Sequence, residues 1–191
     1  LIVERFPATL ELATFALIIA IMIGLPLGIY AGLNPSGWGT RIIMGSSILG
    51  ISIPTFWLGL MMIIVFSVLL GWLPVSGRGE IGSFLGIESS VFTLDGLRHI
   101  IMPATNLALF KIAMVIRLTR AGTEEVMRLD FIKFARARGL SPRRIVRFHL
   151  LPNILIPIIT VIAIEFGTLI AFATVTESIF AWPGLGKLVI D

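Results

Sequence analysis

The chain has 191 residues, of which 57% are apolar and only 14% charged, against roughly 25% charged in water-soluble domains. So much apolar surface has nowhere to be buried except in lipid, which excludes an ordinary soluble domain. The formal net charge is +4, and the lack of cysteine excludes disulfides and thiolate metal sites.

Four membrane spans can be drawn in chain order. Leu12–Leu33 runs 22 residues without a charge, enough to cross ~30 Å of hydrocarbon at ~1.5 Å per residue. Within it Gly24, Gly28 and Gly32 recur every four residues on one helix face, where they permit close backbone approach, either to another subunit or within the chain. Ile42–Leu73 is uncharged for 32 residues, more than one crossing needs, and Pro54 inside it predicts a kink or a tilted helix with an interfacial end. His99–Leu118 is apolar apart from Lys111 and Arg117, and Leu150–Phe180 apart from Glu165 and Glu177. Spans of this kind must be helices, because a backbone in lipid satisfies its own hydrogen bonds; the strands of a β-barrel alternate in polarity, and these stretches do not.

Three connections lie between the spans. Residues 34–41 (NPSGWGTR) are short, with Pro and Gly as turn formers. Residues 74–98 are longer, rich in Gly and Ser and nearly neutral. Residues 119–149 form a basic loop: nine of the fifteen Lys and Arg lie between Arg117 and Arg147. Between two apolar spans such a cluster reads as a cytoplasmic loop obeying the positive-inside rule rather than as a nucleic-acid site. The alternation then puts 34–41 inside as well, and 74–98, the segment after Phe180 and the start of the chain outside. The first residue is Leu1, and an apolar run, Leu188–Ile190, precedes Asp191. The chain is therefore expected to be a piece of a longer protein, with at least one helix before it and most of one after. No signal peptide is recognisable before the first span.

Charged residues in or beside apolar spans are costly and face a partner or a cavity. Glu11, Lys111 and Glu165 are such residues. Counted from His99 and Phe180, Lys111 and Glu165 lie about 18 and 22 Å from the outer side, near mid-membrane. They can pair with each other or line a translocation path.

The basic loop carries explicit punctuation. Asp130 is placed to cap a helix over Phe131–Arg138. Gly139 is its left-handed stop, followed by apolar Leu140. Ser141 can cap the next helix, with Pro142 at its first position. Phe131, Phe134 and Ala135, at i, i+3 and i+4, make an apolar stripe on a basic body. A short rigid helix of this kind suits a protein partner; an interfacial helix held by anionic headgroups is the alternative. Engines of the chain's own are absent. Gly184-Leu185-Gly186-Lys187 lacks the spacing of a phosphate-cradling loop, there is no G-x-S-x-G nucleophile elbow, and His99 and His149 are assigned to opposite membrane faces and so cannot share a metal. No catalytic, metal or cofactor residues are expected.

With the basic loop in view, the chain resembles the permease subunits of ATP-binding-cassette (ABC) importers of the dipeptide/oligopeptide/nickel class, over essentially all of its length. The family's EAA loop has the general form E-A-A-x3-G-x9-I-x-L-P. Ala135, Gly139, Leu151 and Pro152 fall at the required spacing, while Lys133, Phe134 and His149 replace Glu, Ala and Ile. Residues 135–140 (ARARGL) match the form A-R-A-[KR]-G-L of the peptide branch. Residues 7–12 (PATLEL), 52–60 (SIPTFWLGL), 71–79 (GWLPVSGRG) and 180–191 (FAWPGLGKLVID) look like the same branch.

The resemblance implies an all-α polytopic bundle of the type I ABC importer permease kind, one transmembrane permease domain over 1–191 in a bacterial inner membrane. The segment 119–149 would be its cytoplasmic coupling loop. Asp130, Phe131, Phe134, Ala135, Arg136, Arg138, Gly139 and Leu140 would dock on a separate ATPase. The implied partners are two ATPase subunits, a second, similar permease chain and an extracytoplasmic substrate-binding protein. The chain itself would be non-catalytic. An ion-coupled secondary carrier, with Glu11, Lys111 and Glu165 as coupling charges, is the competing class; an intramembrane enzyme lacks any visible catalytic constellation.

Overall fold

The computed structural model describes residues 2–84 and 86–190, and the side chains of all of these except 51, 84, 87 and 188–190. Helices dominate. In chain order they are α1 (Ile2–Leu33), α2 (Trp38–Ser52), α3 (Thr55–Met62, widening into a π-helical stretch Ile63–Leu69), α4 (Leu94–Val126), α5 (Asp130–Ala137), α6 (Pro142–Ile145), a second π-helical stretch (Val146–Leu150), α7 (Leu151–Ile179) and α8 (Leu185–Ile190). Between α3 and α4 stands one small hairpin, β1 (Gly82–Phe84) antiparallel to β2 (Ile87–Ser89), with Gly82 opposite Ser89. Among the described residues, three stretches are long and apolar enough to cross a membrane: Ile2–Leu33, Leu94–Val126 and Pro142–Ile179. A fourth crossing exists if α2 and α3 count as one broken span.

The sequence-predicted spans are corrected at their edges. α1 starts ten residues before Leu12 and carries Glu4, Arg5 and Glu11, because the Glu11 carboxylate has partners that satisfy it. Pro54 breaks the second stretch outright: it stands before α3 with φ −59° and ψ 132°, a backbone that proline accepts and a helix interior does not. α4 outruns His99–Leu118 at both ends. Its extension into the basic segment is held by an i,i+4 ion pair, Arg120 Nε to Glu124 Oε1 at 2.7 Å. The basic loop 119–149 is therefore largely helix, with its free connections at 127–129 and 138–141.

The described chain divides into two compact units. One comprises Leu1–Ile19, Ile51–Phe110 and Phe166–Asp191, of which Leu1, Leu85 and Asp191 lie outside the described residues. Its buried centre includes Leu12, Ile100, Met102, Leu169, Phe180 and Trp182. The hairpin leads into a 3-10 turn (Ser90–Phe92), after which the Thr93 hydroxyl accepts from the Gly96 N–H at 3.0 Å and starts α4.

The other unit comprises Ala20–Gly50 and Lys111–Glu165. Here the glycine stripe has its partner. Gly24, Gly28 and Gly32 face Val115, Thr119 and Thr123 of α4, so closely that a Cβ on Gly28 would stand 2.8 Å from the Ile116 carbonyl oxygen. The stripe serves packing within the chain. A second cluster, Ile132, Ala135, Ile145, Leu150, Ile154 and Ile158, is closed by Val126 and by Leu25 and Ile29 of α1. It ties α5 and α6 to the long helices.

Candidate functional site

The short basic helix α5 is built from both ends. Its first residue is Asp130, one position inside the helix; Leu129, with an extended backbone and no side-chain cap, holds the cap position. Asp130 instead receives a hydrogen bond from Lys133 Nζ at 2.8 Å. That bond and the ammonium charge hold its carboxyl below the usual range, so a negative charge sits on the first turn, where the helix dipole favours it. At the other end Gly139 adopts φ +76°. Its N–H donates to the Arg136 carbonyl at 2.9 Å and the Leu140 N–H to the Ala135 carbonyl at 3.2 Å. These are the paired bonds of a Schellman stop. Ser141 then precedes Pro142 as expected, but its carbonyl, not its hydroxyl, receives the N–H groups of Arg144 and Ile145.

The stripe expected on α5 is split. Ile132 and Ala135 are its buried residues, three apart and turned into the cluster described above. Phe131 and Phe134 are 40% and 64% exposed. The missed residue is Ile132; two phenylalanines outweigh one isoleucine in any hydropathy reading, but burial follows the face that meets α6 and α7. The outward face carries Phe131, Phe134, Arg136 and Arg138. The Arg138 guanidinium stands 5.7 Å from the Phe134 ring, and Phe131 lies 6.4 Å from the His149 ring. Two exposed aromatic rings, one with an arginine over it, held on a helix that is fixed from behind, make a surface with unused apolar area and several donors.

Lys111 and Glu165 come together: Lys111 Nζ donates to Glu165 Oε2 as an ion pair. The lysine side chain is 7% exposed and the carboxylate side chain 25%. Glu11 is engaged elsewhere, by Arg78 (Nε to Oε2, 2.9 Å) and by Ser89 and Ser90. It is thus not a third member of the Lys111–Glu165 pair. Glu177, to which the sequence reading gave no role, is fully buried.

Comparison with known proteins completes the picture. Residues 24–191 match the family described as "Binding-protein-dependent transport system inner membrane component". The chain is 44% identical to the di/tripeptide transport system permease protein DppB of Pseudomonas aeruginosa (strain UCBPP-PA14), over 97% of this chain and 59% of that one. It is 39% identical to the peptide transport system permease protein SapB of Salmonella typhimurium (strain LT2), over 98% of this chain and 63% of the relative. It therefore spans about three fifths of these relatives' length. Among solved structures, a chain from the MetNI methionine ABC transporter in an inward-facing conformation superposes with a TM-score of 0.73, covering 98% of this chain and 78% of the other at 21% identity. That likeness establishes the fold, an all-α polytopic transmembrane bundle shared with an ABC transporter chain. The chain belongs to the family of binding-protein-dependent transport system inner membrane components, multi-pass membrane proteins.

Proposed function

We propose that this chain is the membrane-spanning permease part of an ABC importer for peptides or a related small solute. The observation that carries the reading is the 44% identity to a protein named as a di/tripeptide permease. The outward face of α5 supplies the mechanism. ATP binding closes two separate ATPase subunits; Phe131, Phe134, Arg136 and Arg138 sit in a cleft of one of them and Gly139 fixes the helix end. Closure displaces α5, and the buried Ile132 and Ala135 pass the movement to α6 and α7. Residues 119–149 are on the cytoplasmic side and 74–98 on the outer side of a bacterial inner membrane. A second, similar permease completes the pathway and a binding protein delivers substrate. The chain hydrolyses nothing itself. The Lys111–Glu165 pair stands close to the path in the bundle interior. The ion-coupled carrier is not favoured, since the chain matches a binding-protein-dependent transport family and the named relatives are transport system permeases.

The test is uptake of a radiolabelled dipeptide by cells carrying the complete transporter. Uptake should persist when an uncoupler collapses the proton gradient at constant ATP, and should stop when ATP is depleted. Loss of uptake with the gradient alone would point to the carrier class.

A further inference from the structure

One end of the first unit holds two carboxylates, Glu11 and Glu177, that the proposed transport chemistry does not use. Glu11 accepts from five groups: Arg78 Nε (2.9 Å) and its terminal nitrogen Nη2, Ser89 Oγ (2.7 Å), and both the N–H (2.7 Å) and the hydroxyl (2.6 Å) of Ser90. The turn after the hairpin is thereby fastened to α1. Glu177, near the end of α7, accepts from the Thr9 hydroxyl of α1 (2.6 Å) and from the Gly186 N–H (2.6 Å), while Thr9 Oγ accepts in turn from the Leu185 N–H (2.8 Å). The first two N–H groups of α8 are thus held by side chains from α7 and α1.

The two clasps share parts. Arg78, bound to Glu11, lies 5.9 Å over the Trp182 ring, and the Trp182 indole N–H donates to the Ala8 carbonyl at 2.9 Å. The Gly77 N–H donates to the Phe180 carbonyl at 2.9 Å. Three glycines leave room for this arrangement. A Cβ on Gly184 would overlap the Glu177 carboxylate, one on Gly186 the Thr174 backbone, and one on Gly96 the Ser90 carbonyl. Both carboxylates are thus held by donors from other elements of the same unit.

We propose that these residues form one latch, joining α1, the 77–92 connection, α7 and α8, which stays shut and moves as a single body through the transport cycle. The movement of the cycle happens elsewhere in the chain. The inference rests on the importer reading above for its cycle, and its test separates the two.

The latch has five backbone N–H donors that can be followed without any mutation: those of Gly77, Ser90, Leu185 and Gly186 already described, and that of Trp182, which donates to the Glu177 carbonyl at 2.8 Å. Hydrogen exchange of the assembled transporter, resting and trapped with ATP and vanadate, should leave all five equally protected, while the 130–139 segment changes. A tenfold or greater rise in exchange at any of the five in the trapped state overturns the latch. No change anywhere, 130–139 included, counts against the importer reading and not against the latch, which the next measurement then decides. A double-mutant cycle on Glu11→Gln and Glu177→Gln adds a second arm. One latch makes the thermal-midpoint shift of the double variant clearly smaller than the sum of the singles. Additive shifts show two separate clasps and overturn the single body.

Discussion

Gly139 shows how much can depend on one backbone angle. At φ +76° a β-carbon is disfavoured by roughly 1–2 kcal/mol, and nothing stands within 4 Å of where it would be. The cost of a substitution is therefore backbone strain, not crowding. Gly139→Val should reach the membrane in normal amounts, lose most uptake and retain its ATPase poorly on purification. Gly139→Asn, which tolerates the left-handed region, should stay near the parental rate. Uptake by both variants at the parental rate would remove α5 as the coupling element. The Lys111–Glu165 pair is a second case. Removing one partner leaves a charge in the bundle, at about 3 kcal/mol, the low end for buried pairs because the carboxylate is partly exposed. Lys111→Met or Glu165→Gln alone should lower the thermal midpoint more than the double variant does, read by thermal inactivation in detergent.

At the scale of elements, the tight contact between α1 and α4 depends on glycine. A β-carbon at Gly28 meets Thr119 Cβ at 2.5 Å and the Ile116 carbonyl at 2.8 Å, so either helix has to give way. Gly28→Ala should destabilise by about 1–3 kcal/mol. Gly45→Ala in α2, with open space around it, should be neutral or slightly stabilising, since alanine is the better helix former. Equal thermal midpoints for the two variants would contradict the packing. How far the elements could be read from the sequence follows from the range of the forces that set them. Apolar runs and the glycine–serine–proline punctuation of α5 and α6 are local, and they were legible. The extension of α4 past Leu118 was not, because Arg117, Arg120 and Glu124 break the apolar run while the Arg120–Glu124 pair continues the helix. Asp130 was expected one position too early: it looks like a cap, but Lys133 three residues on draws it into the first turn. The partners of Glu11 and Glu177 lie up to 79 and 168 residues away in sequence, beyond any periodicity.

For the whole molecule the decisive question is which side each connection occupies. Ser141 and Ser76 are both exposed, and a chain without cysteine accepts single cysteines as clean reporters. With nine basic residues between Arg117 and Arg147, the positive-inside rule predicts a cytoplasmic Ser141. An impermeant thiol reagent added to intact cells should label Ser76→Cys and spare Ser141→Cys; the reverse pattern would invert the topology and with it the place of the ATPases.

The glycine seam also has a consequence in time. Gly24 meets Val115, a residue made 91 positions later (115 − 24). At about 5–20 residues per second, α1 is in the bilayer for roughly 5–20 s before its partner leaves the ribosome. During that interval its notched face lacks its α4 partner. A nascent chain stalled before α4 should thus hold α1 without its seam partner and be short-lived in the cell, and a chain stalled only after α4 has left the ribosome should be spared. Biosynthesis, and not only the finished fold, then sets a limit on what the seam can tolerate.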